Sequence, residues 1–597
     1  MNIDFETYKK KVRGCYVGKC VGGTLGMKFE GTRRYSEVTY YDPIPDKMLP
    51  NDDLDLQVVN LETVLRTGLP ICRYYIGEMW KYHIADHAPD EYAVGVSNHA
   101  LMLNAPLSGI YRNKFYAGMG GAIRSELWAC LAPANPDLAA MFAREDSCTD
   151  HCSDGIYAEM FLASVESAAF TETDLMRLIN IGLCFIPDGH RLKNAFLDVI
   201  NWWDEYHDII QVRELILKKY SVDNWTDVTI NLSFIILSLL CCDGSFDKAI
   251  CTAASLAYDA DCTCATVGSI FGIIDPDGID SKWTDPIGDS LVLSTGIVNM
   301  HEPDTVDEFC DKIISVADEI QKYYKTQISL NLPEDFMRAK LAPAWAKNSD
   351  CFYSWKDGSK ESLICVKPIS VSLIYPDSIA AIPGKNNAYQ IRITNTTTQK
   401  IHGSVSLQAP DGFEIEYKEA EYVLAPEESV YVPFFVTVGI LKRRAPLNIL
   451  TASFTLNEIA FEAHAGLPVS FPWSVENLDN GEKYTFEADN IYFNIPAGRY
   501  KYTAKFKSPS PKEIRICAGG RRAFTLYLNG VEVSKKTGSY YVPAFHREYD
   551  WFKTSILRGE NVVEAVFESG GEGEFFFGFS TTFGCATWID TMERLIL

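Results

Sequence analysis

Leu232-Ser233-Phe234-Ile235-Ile236-Leu237-Ser238-Leu239-Leu240-Cys241-Cys242, the turn Asp243-Gly244, and then Tyr258-Asp259-Ala260-Asp261-Cys262-Thr263-Cys264-Ala265 decide how this chain reads. The first run is too apolar for a surface helix, so it predicts the buried centre of an all-α domain. The second opens a segment whose Ala265, Gly268 and Gly272 form a small-residue stripe suited to close helix packing. Two carboxylates, Asp259 and Asp261, stand in this apolar setting, and no Lys or Arg lies between Ala249 and Ile279. Buried carboxylates need a counter-charge. A divalent cation is the economical one, and oxygen ligands favour Mg²⁺, Mn²⁺ or Ca²⁺ over zinc.

Helical periodicity extends outward from this core over residues 1–335. Leu54, Val58, Leu61 and Leu65 share one stripe, Leu138, Met141 and Phe142 begin another, and a last helix is predicted over Val306–Tyr324. A second acidic group, Asn51-Asp52-Asp53-Leu54-Asp55, starts the 54–65 helix, with Asn51 as its N-cap. Acidic residues in a first helical turn also offset the macrodipole, so this group alone does not require a site.

The texture changes after about 365. Tyr389, Ile391 and Ile393 alternate with polar residues, as do Val430, Val432, Phe434, Val436 and Val438, with Pro383-Gly384 and Pro410-Asp411-Gly412 as turns. This predicts an immunoglobulin-like sandwich over 365–470. Farther on, Phe524–Leu528 and Val531–Val533 flank Asn529-Gly530, a strong hairpin signal. A second sandwich over 475–597, weakly similar to the jelly-roll modules of carbohydrate-active enzymes, is expected. The whole chain is therefore read as an all-α domain over 1–345 followed by two β-sandwiches, with 340–362 as a connecting segment.

The chain has 597 residues, 47% hydrophobic and 22% charged, which excludes wholesale disorder. A net charge of −24 argues against a nucleic-acid partner. The 17 cysteines show no CxxC pair, and buried reduced thiols are expected. Phe234–Cys242 is too short to span a bilayer, which takes about 20 residues. Met1–Phe5 opens no apolar signal, so a cytoplasmic location is expected. No oligomeric state is assigned.

Five motifs in order carry a family resemblance. They are Arg13-Gly14-Cys15-Tyr16-Val17-Gly18 with Gly22-Gly23-Thr24-Leu25-Gly26; Asn51-Asp52-Asp53; Gly118-Met119-Gly120-Gly121-Ala122-Ile123-Arg124; Asp150-His151-Cys152-Ser153-Asp154-Gly155-Ile156-Tyr157; and Asp259-Ala260-Asp261-Cys262. Over residues 8–325 the chain resembles the ADP-ribosylglycohydrolase family. The resemblance implies an all-α fold with two Mg²⁺ ions, Mn²⁺ or Ca²⁺ being alternatives, held by Asn51, Asp52, Asp53, Asp259, Asp261 and Cys262. Two positions depart from the commonest pattern: Asn51 and Cys262 both stand where Thr is usual. An amide oxygen still suits a hard cation, but a thiol is a poor Mg²⁺ ligand, so water or the Thr263 hydroxyl would have to replace it.

The implied reaction is hydrolysis of an ADP-ribosyl or related N- or O-ribosyl linkage, on a small molecule or a protein, by a metal-activated water. Asp52, Asp53 and Glu30 are the candidate bases, Glu30 matching a loop glutamate of the family. Gly120, Gly121, Arg124, His151 and Tyr157 are the candidate substrate contacts. Two alternatives remain: a glycosidase of the same fold acting on another sugar, which the β-sandwiches favour, and a non-catalytic relative.

Overall fold

The computed structural model describes residues 1–85, 90–301, 303–417, 419–439, 443–445, 447–538, 551–580 and 593–595. Tyr540 and the side chain of Trp551, suggested by the sequence as aromatic sugar platforms, lie outside what is described. Among the described residues, fifteen α-helices precede four antiparallel sheets. The chain divides into two compact units. One is Met1–His83 with Tyr116–Asn348, and the other is Ile84–Phe115 with Ser349–Leu597.

The centre of the helical unit is the contact of the Phe5–Gly26 and Ala260–Ile274 helices. They run antiparallel, and small residues meet at every fourth position. A Cβ added at Gly14, Gly18, Gly22 or Gly26 would lie 2.2, 2.0, 2.0 or 2.1 Å from the carbonyl oxygens of Gly272, Gly268, Cys264 and Ala260. No real side chain tolerates such a distance, so the two backbones touch. The apolar run becomes the Val228–Cys241 helix, buried almost throughout, and the first acidic group opens the Asp52–Thr67 helix. The last helix of the unit is Val306–Tyr323, one residue shorter than the periodicity predicts.

In the second unit, the first sandwich has a sheet of Glu361–Cys365, Ser370–Ile374, Asn386–Thr394, Ser429–Val438 and Phe413–Glu416. Its other sheet is Ile459–Gly466, Ile449–Leu456, Ile401–Gln408 and Ala420–Leu424. Its core takes in Leu103, Leu107 and Tyr111 from the 84–115 excursion. Asn104 fastens that excursion, its backbone N–H donating to Ser362 Oγ (2.8 Å) and its Nδ2 to the Leu363 carbonyl (2.9 Å). The second sandwich contains the expected hairpin. Phe524–Leu528 pairs with Val531–Lys536, and Asn529 and Gly530 both have positive φ (51° and 79°), as a tight hairpin turn requires.

Two outcomes follow from this packing. Gly18→Ala should lower stability by about 3 kcal/mol or more, because the new methyl meets backbone that cannot yield. Gly571→Ala, with open space around it, should change stability by no more than about 0.5 kcal/mol; urea unfolding of both reads the difference. A fragment ending at 345 strands Leu103, Leu107 and Tyr111 without their sandwich partners, and should bind the dye ANS more strongly than one ending at 470.

Candidate active site

The glycine-faced helix pair brings two segments to one end. Just past Gly26, Gly31 donates its N–H to the Tyr258 carbonyl (2.8 Å), and Tyr258 donates back to the Thr32 carbonyl (2.7 Å). Glu30 is thereby fixed beside the Asp259–Asp261 turn. That turn is strained, since Ala257 and Tyr258 have φ of 63° and 65°, each costing about 1–3 kcal/mol at a non-glycine. The bridge to Thr32, and a bond from the Asp259 N–H to Asn231 Oδ1 (3.1 Å), hold it there.

Asn51 caps the Asp52–Thr67 helix as the sequence predicts, its Oδ1 accepting from the Asp53 N–H (2.9 Å). Its Nδ2 turns to Asp53 Oδ2 (3.2 Å). This amide fits only because residue 23 is glycine: a Cβ there would lie 2.4 Å from Asn51 Nδ2. Asp53 then meets the second acidic group. One ligand atom from each of Asp53, Asp261 and Cys262 lies within 4.8 Å of the other two, and all three residues are buried. Asp53 Oδ1 and Asp261 Oδ1 are buried with no hydrogen-bond partner.

Orphaned carboxylate oxygens of this kind fit a hard divalent cation, since in its absence each is a desolvated acceptor without a donor. The electrostatics agree. Burial pushes Asp53 up to about 7, with Lys19 pulling it down and Asp261 raising it further. Burial, then Glu30 and Asp52, push Asp261 up to about 8. Asp259 is raised by burial, then by Asp261 and Glu30, and the Cys262 thiol by burial and the surrounding carboxylates. Six of the sequence-selected residues — Glu30, Asp52, Asp53, Asp259, Asp261 and Cys262 — therefore form one interacting group, with Asn51 at its edge. Thr263 does not join them: it is fully buried, and its hydroxyl donates to the Ala260 carbonyl (3.2 Å).

The four candidate contacts Gly120, Gly121, Arg124 and His151 assemble with one another. Arg124 is fully buried, and its guanidinium donates to Asp146 (3.1 Å), to both oxygens of Asp150 (3.0 and 2.8 Å) and to the Gly120 carbonyl (2.7 Å). His151 Nδ1 lies 2.7 Å from Asp150 Oδ1, and its Nε2 accepts from the Gly121 N–H (3.3 Å). Arg124, named from the sequence as a candidate substrate contact, is thus engaged within the protein. Its charge is spent on two carboxylates, and it braces the glycine loop from behind. Tyr157 is half-buried, edge-on to His190.

Lys19 is the residue that reading by segments misses. It is 2% exposed, and its ammonium bonds Glu126 (2.8 Å) and the Ile123 carbonyl (3.1 Å). Burial disfavours the ammonium, but Glu126 and then Asp53 hold it above the ordinary lysine range. A lysine on the glycine-striped face of the first helix was the available signal. Gln57 completes the frame, donating to Glu126 (2.8 Å) and Ile123 (2.9 Å) while accepting from the Tyr16 hydroxyl (2.8 Å). Asp55 is held apart from this frame, accepting from the Ser294 N–H (3.0 Å) and from its hydroxyl, and burial pushes it up to about 7 against those two bonds.

Residues 4–324, more than half of the chain, match the family model for ADP-ribosylglycohydrolase. The chain belongs to this family. Membership supports a hydrolase that acts on glycosyl bonds. Residues 385–459 match the IG-like fold at the C-terminus of FixG. Among solved structures, the chain is similar to an ADP-ribosylglycohydrolase-related protein complex at 18% identity and TM-score 0.36, covering 47% of this chain and 94% of that one. An anti-sigma factor domain-containing protein from Clostridium clariflavum is similar at 11% identity and TM-score 0.15, with 32% and 79% covered. A lectin from Pleurotus ostreatus is similar at 12% identity and TM-score 0.12, with 33% and 74% covered. No curated protein matches the sequence.

Because Lys19 is one half of a fully buried ion pair, Lys19→Met leaves Glu126 uncompensated and should cost about 3–5 kcal/mol. Asn51→Ala removes a helix cap and one neutral-amide bond to Asp53, and should cost less, about 1–2 kcal/mol. Chemical denaturation of both variants checks the ordering.

Proposed function

We propose that the ADP-ribosylglycohydrolase domain is a divalent-cation-dependent hydrolase of ADP-ribosyl or related N- or O-ribosyl linkages. The observation that carries this is the convergence of Asp53 and Asp261 within one 4.8 Å group, each residue carrying a buried oxygen with no hydrogen-bond partner. Asp53 and Asp261 are the residues that would hold the cation, with Asp52 and Asp259 beside them. When bound, a divalent cation supplies Lewis-acid stabilisation of charge developing in the reaction.

The chain's own residues divide the remaining work by exposure. Asp53, 1% exposed, cannot exchange protons readily with solvent and serves as an anchor. Glu30 is exposed and Asp52 half-buried, so these two are the carboxylates able to take a proton from an attacking water. The water oxygen bonds the anomeric carbon, the glycosidic bond breaks through an oxocarbenium-like transition state, and the leaving group departs with a proton. Arg124, His151 and Asp150 keep the glycine loop in one conformation while this occurs.

A second reading, a glycosidase of the same fold acting on another sugar, is favoured by Asn51, whose oxygen is engaged in capping, and by Cys262. Hydrolysis of ADP-ribosylated peptides, aryl ribosides and aryl glycosides, with Mg²⁺ or EDTA, separates the two. Turnover of ribosyl substrates only, abolished by EDTA, is the expected result, and turnover of the glycosides alone establishes the second. Glu30→Gln or Asp52→Asn, whichever is the base, should lower kcat by about 10²–10⁴-fold with the fold intact by circular dichroism. A chain that turns over nothing and binds no cation is the non-catalytic relative.

A further inference from the structure

We infer that Cys262 is a cation ligand, and that it turns this centre toward thiophilic divalent cations such as Co²⁺ and Zn²⁺ and away from Mg²⁺. The inference rests on the reading above that a divalent cation binds between the acidic groups. Cys262 is buried, 7% exposed. Its sulfur lies in the same 4.8 Å group as one oxygen each of Asp53 and Asp261, and both of those residues carry a buried oxygen without a partner. Among the described residues no other cysteine belongs to such a group. Cys264, two positions along the same helix, shows the contrast: it is fully buried and its sulfur donates to the Ile250 carbonyl (3.5 Å).

The oxygen donors that might have displaced the thiol are engaged elsewhere. The Thr263 hydroxyl is bonded to Ala260, and Asn51 Oδ1 caps its helix. The donors gathered within 4.8 Å are two carboxylates and one sulfur. Mg²⁺ demands hard oxygen ligands, whereas thiolate sulfur suits the softer first-row cations. Three protein ligands with further positions open is the arrangement of a catalytic rather than a structural site for such a cation. Binding exchanges a proton for the cation: the S–H bond breaks, the proton passes to bulk buffer, and a sulfur–metal bond forms without any change of oxidation state.

The test uses the full-length chain, stripped of metal with EDTA and titrated with one equivalent of Co²⁺. A near-ultraviolet sulfur-to-cobalt charge-transfer band is expected, and it should vanish in Cys262→Ser and in Asp261→Asn. The excess of Mg²⁺ needed to displace half the Co²⁺ should fall about tenfold or more in Cys262→Ser. If the variants do not fold, X-ray absorption at the cobalt edge of the wild-type chain decides, with one sulfur neighbour expected and none overturning the proposal. A band that survives both substitutions places cobalt on other cysteines and also overturns it. Cobalt bound through oxygen alone defeats this inference but leaves the hydrolase reading standing. A chain that binds neither Co²⁺ nor Mg²⁺ defeats both.

Discussion

The structure of the helical unit depends on one contact, the backbone-to-backbone packing of the Phe5–Gly26 and Ala260–Ile274 helices. Ordinary helices pack 8–10 Å apart because side chains hold them off. Here the facing residues are glycine, alanine and cysteine, so the register is set in steps of four residues and cannot slip without steric overlap. Both helices end their shared face at Gly26 and Ala260, so whatever follows the one is delivered to whatever precedes the other. Glu30 and Asp259 become neighbours although more than two hundred residues separate them. The turn that carries Asp259 is strained at Ala257 and Tyr258, and this helix contact with the Thr32 bridge over-determines it.

The second governing term is charge. Five carboxylates in and around an apolar core would oppose folding if all were ionised and alone. The structure answers in two ways. Lys19 brings a positive charge to the rear of Asp53, tied to Glu126, which Gln57 also holds. The front of the group carries the unpartnered oxygens of Asp53 and Asp261, which the proposed cation would satisfy. The rear is a framework and the front is the proposed binding surface, and Asp53 belongs to both.

The periodic features were legible in the sequence because periodicity is local. The buried 232–242 helix, the Asp52–Thr67 helix and its Asn51 cap, the alternation of the sandwich strands and the Asn529-Gly530 turn each follow from a few adjacent residues. The acidic centre was legible for a related reason, since two carboxylates in an apolar run stand out from their surroundings. What escaped were facts of convergence. The absence of Lys or Arg between Ala249 and Ile279 suggested that no basic partner existed, yet Lys19 arrives from another helix. Arg124 and His151 were picked out from two separate motifs, but that they meet, and which way the Arg124 guanidinium points, depends on Asp146 and Asp150, which only the packed core brings to them. The assignment of the 84–115 segment to the second unit had no local signal, because its Leu103, Leu107 and Tyr111 look like any helical core residues.

That segment bears on how such a protein is inherited. A sandwich joined to an enzyme by one linker can be exchanged by a single recombination between genes, and the enzyme is indifferent to the swap. In this chain the core of the first sandwich is written in two places, one of them inside the stretch that encodes the helical family domain. A crossover near residue 345 would hand the newcomer a segment shaped for its predecessor. Sandwich and helical domain are therefore expected to share one line of descent, with substitutions at Leu103, Leu107 and Tyr111 tracking those at their partners across the sheet.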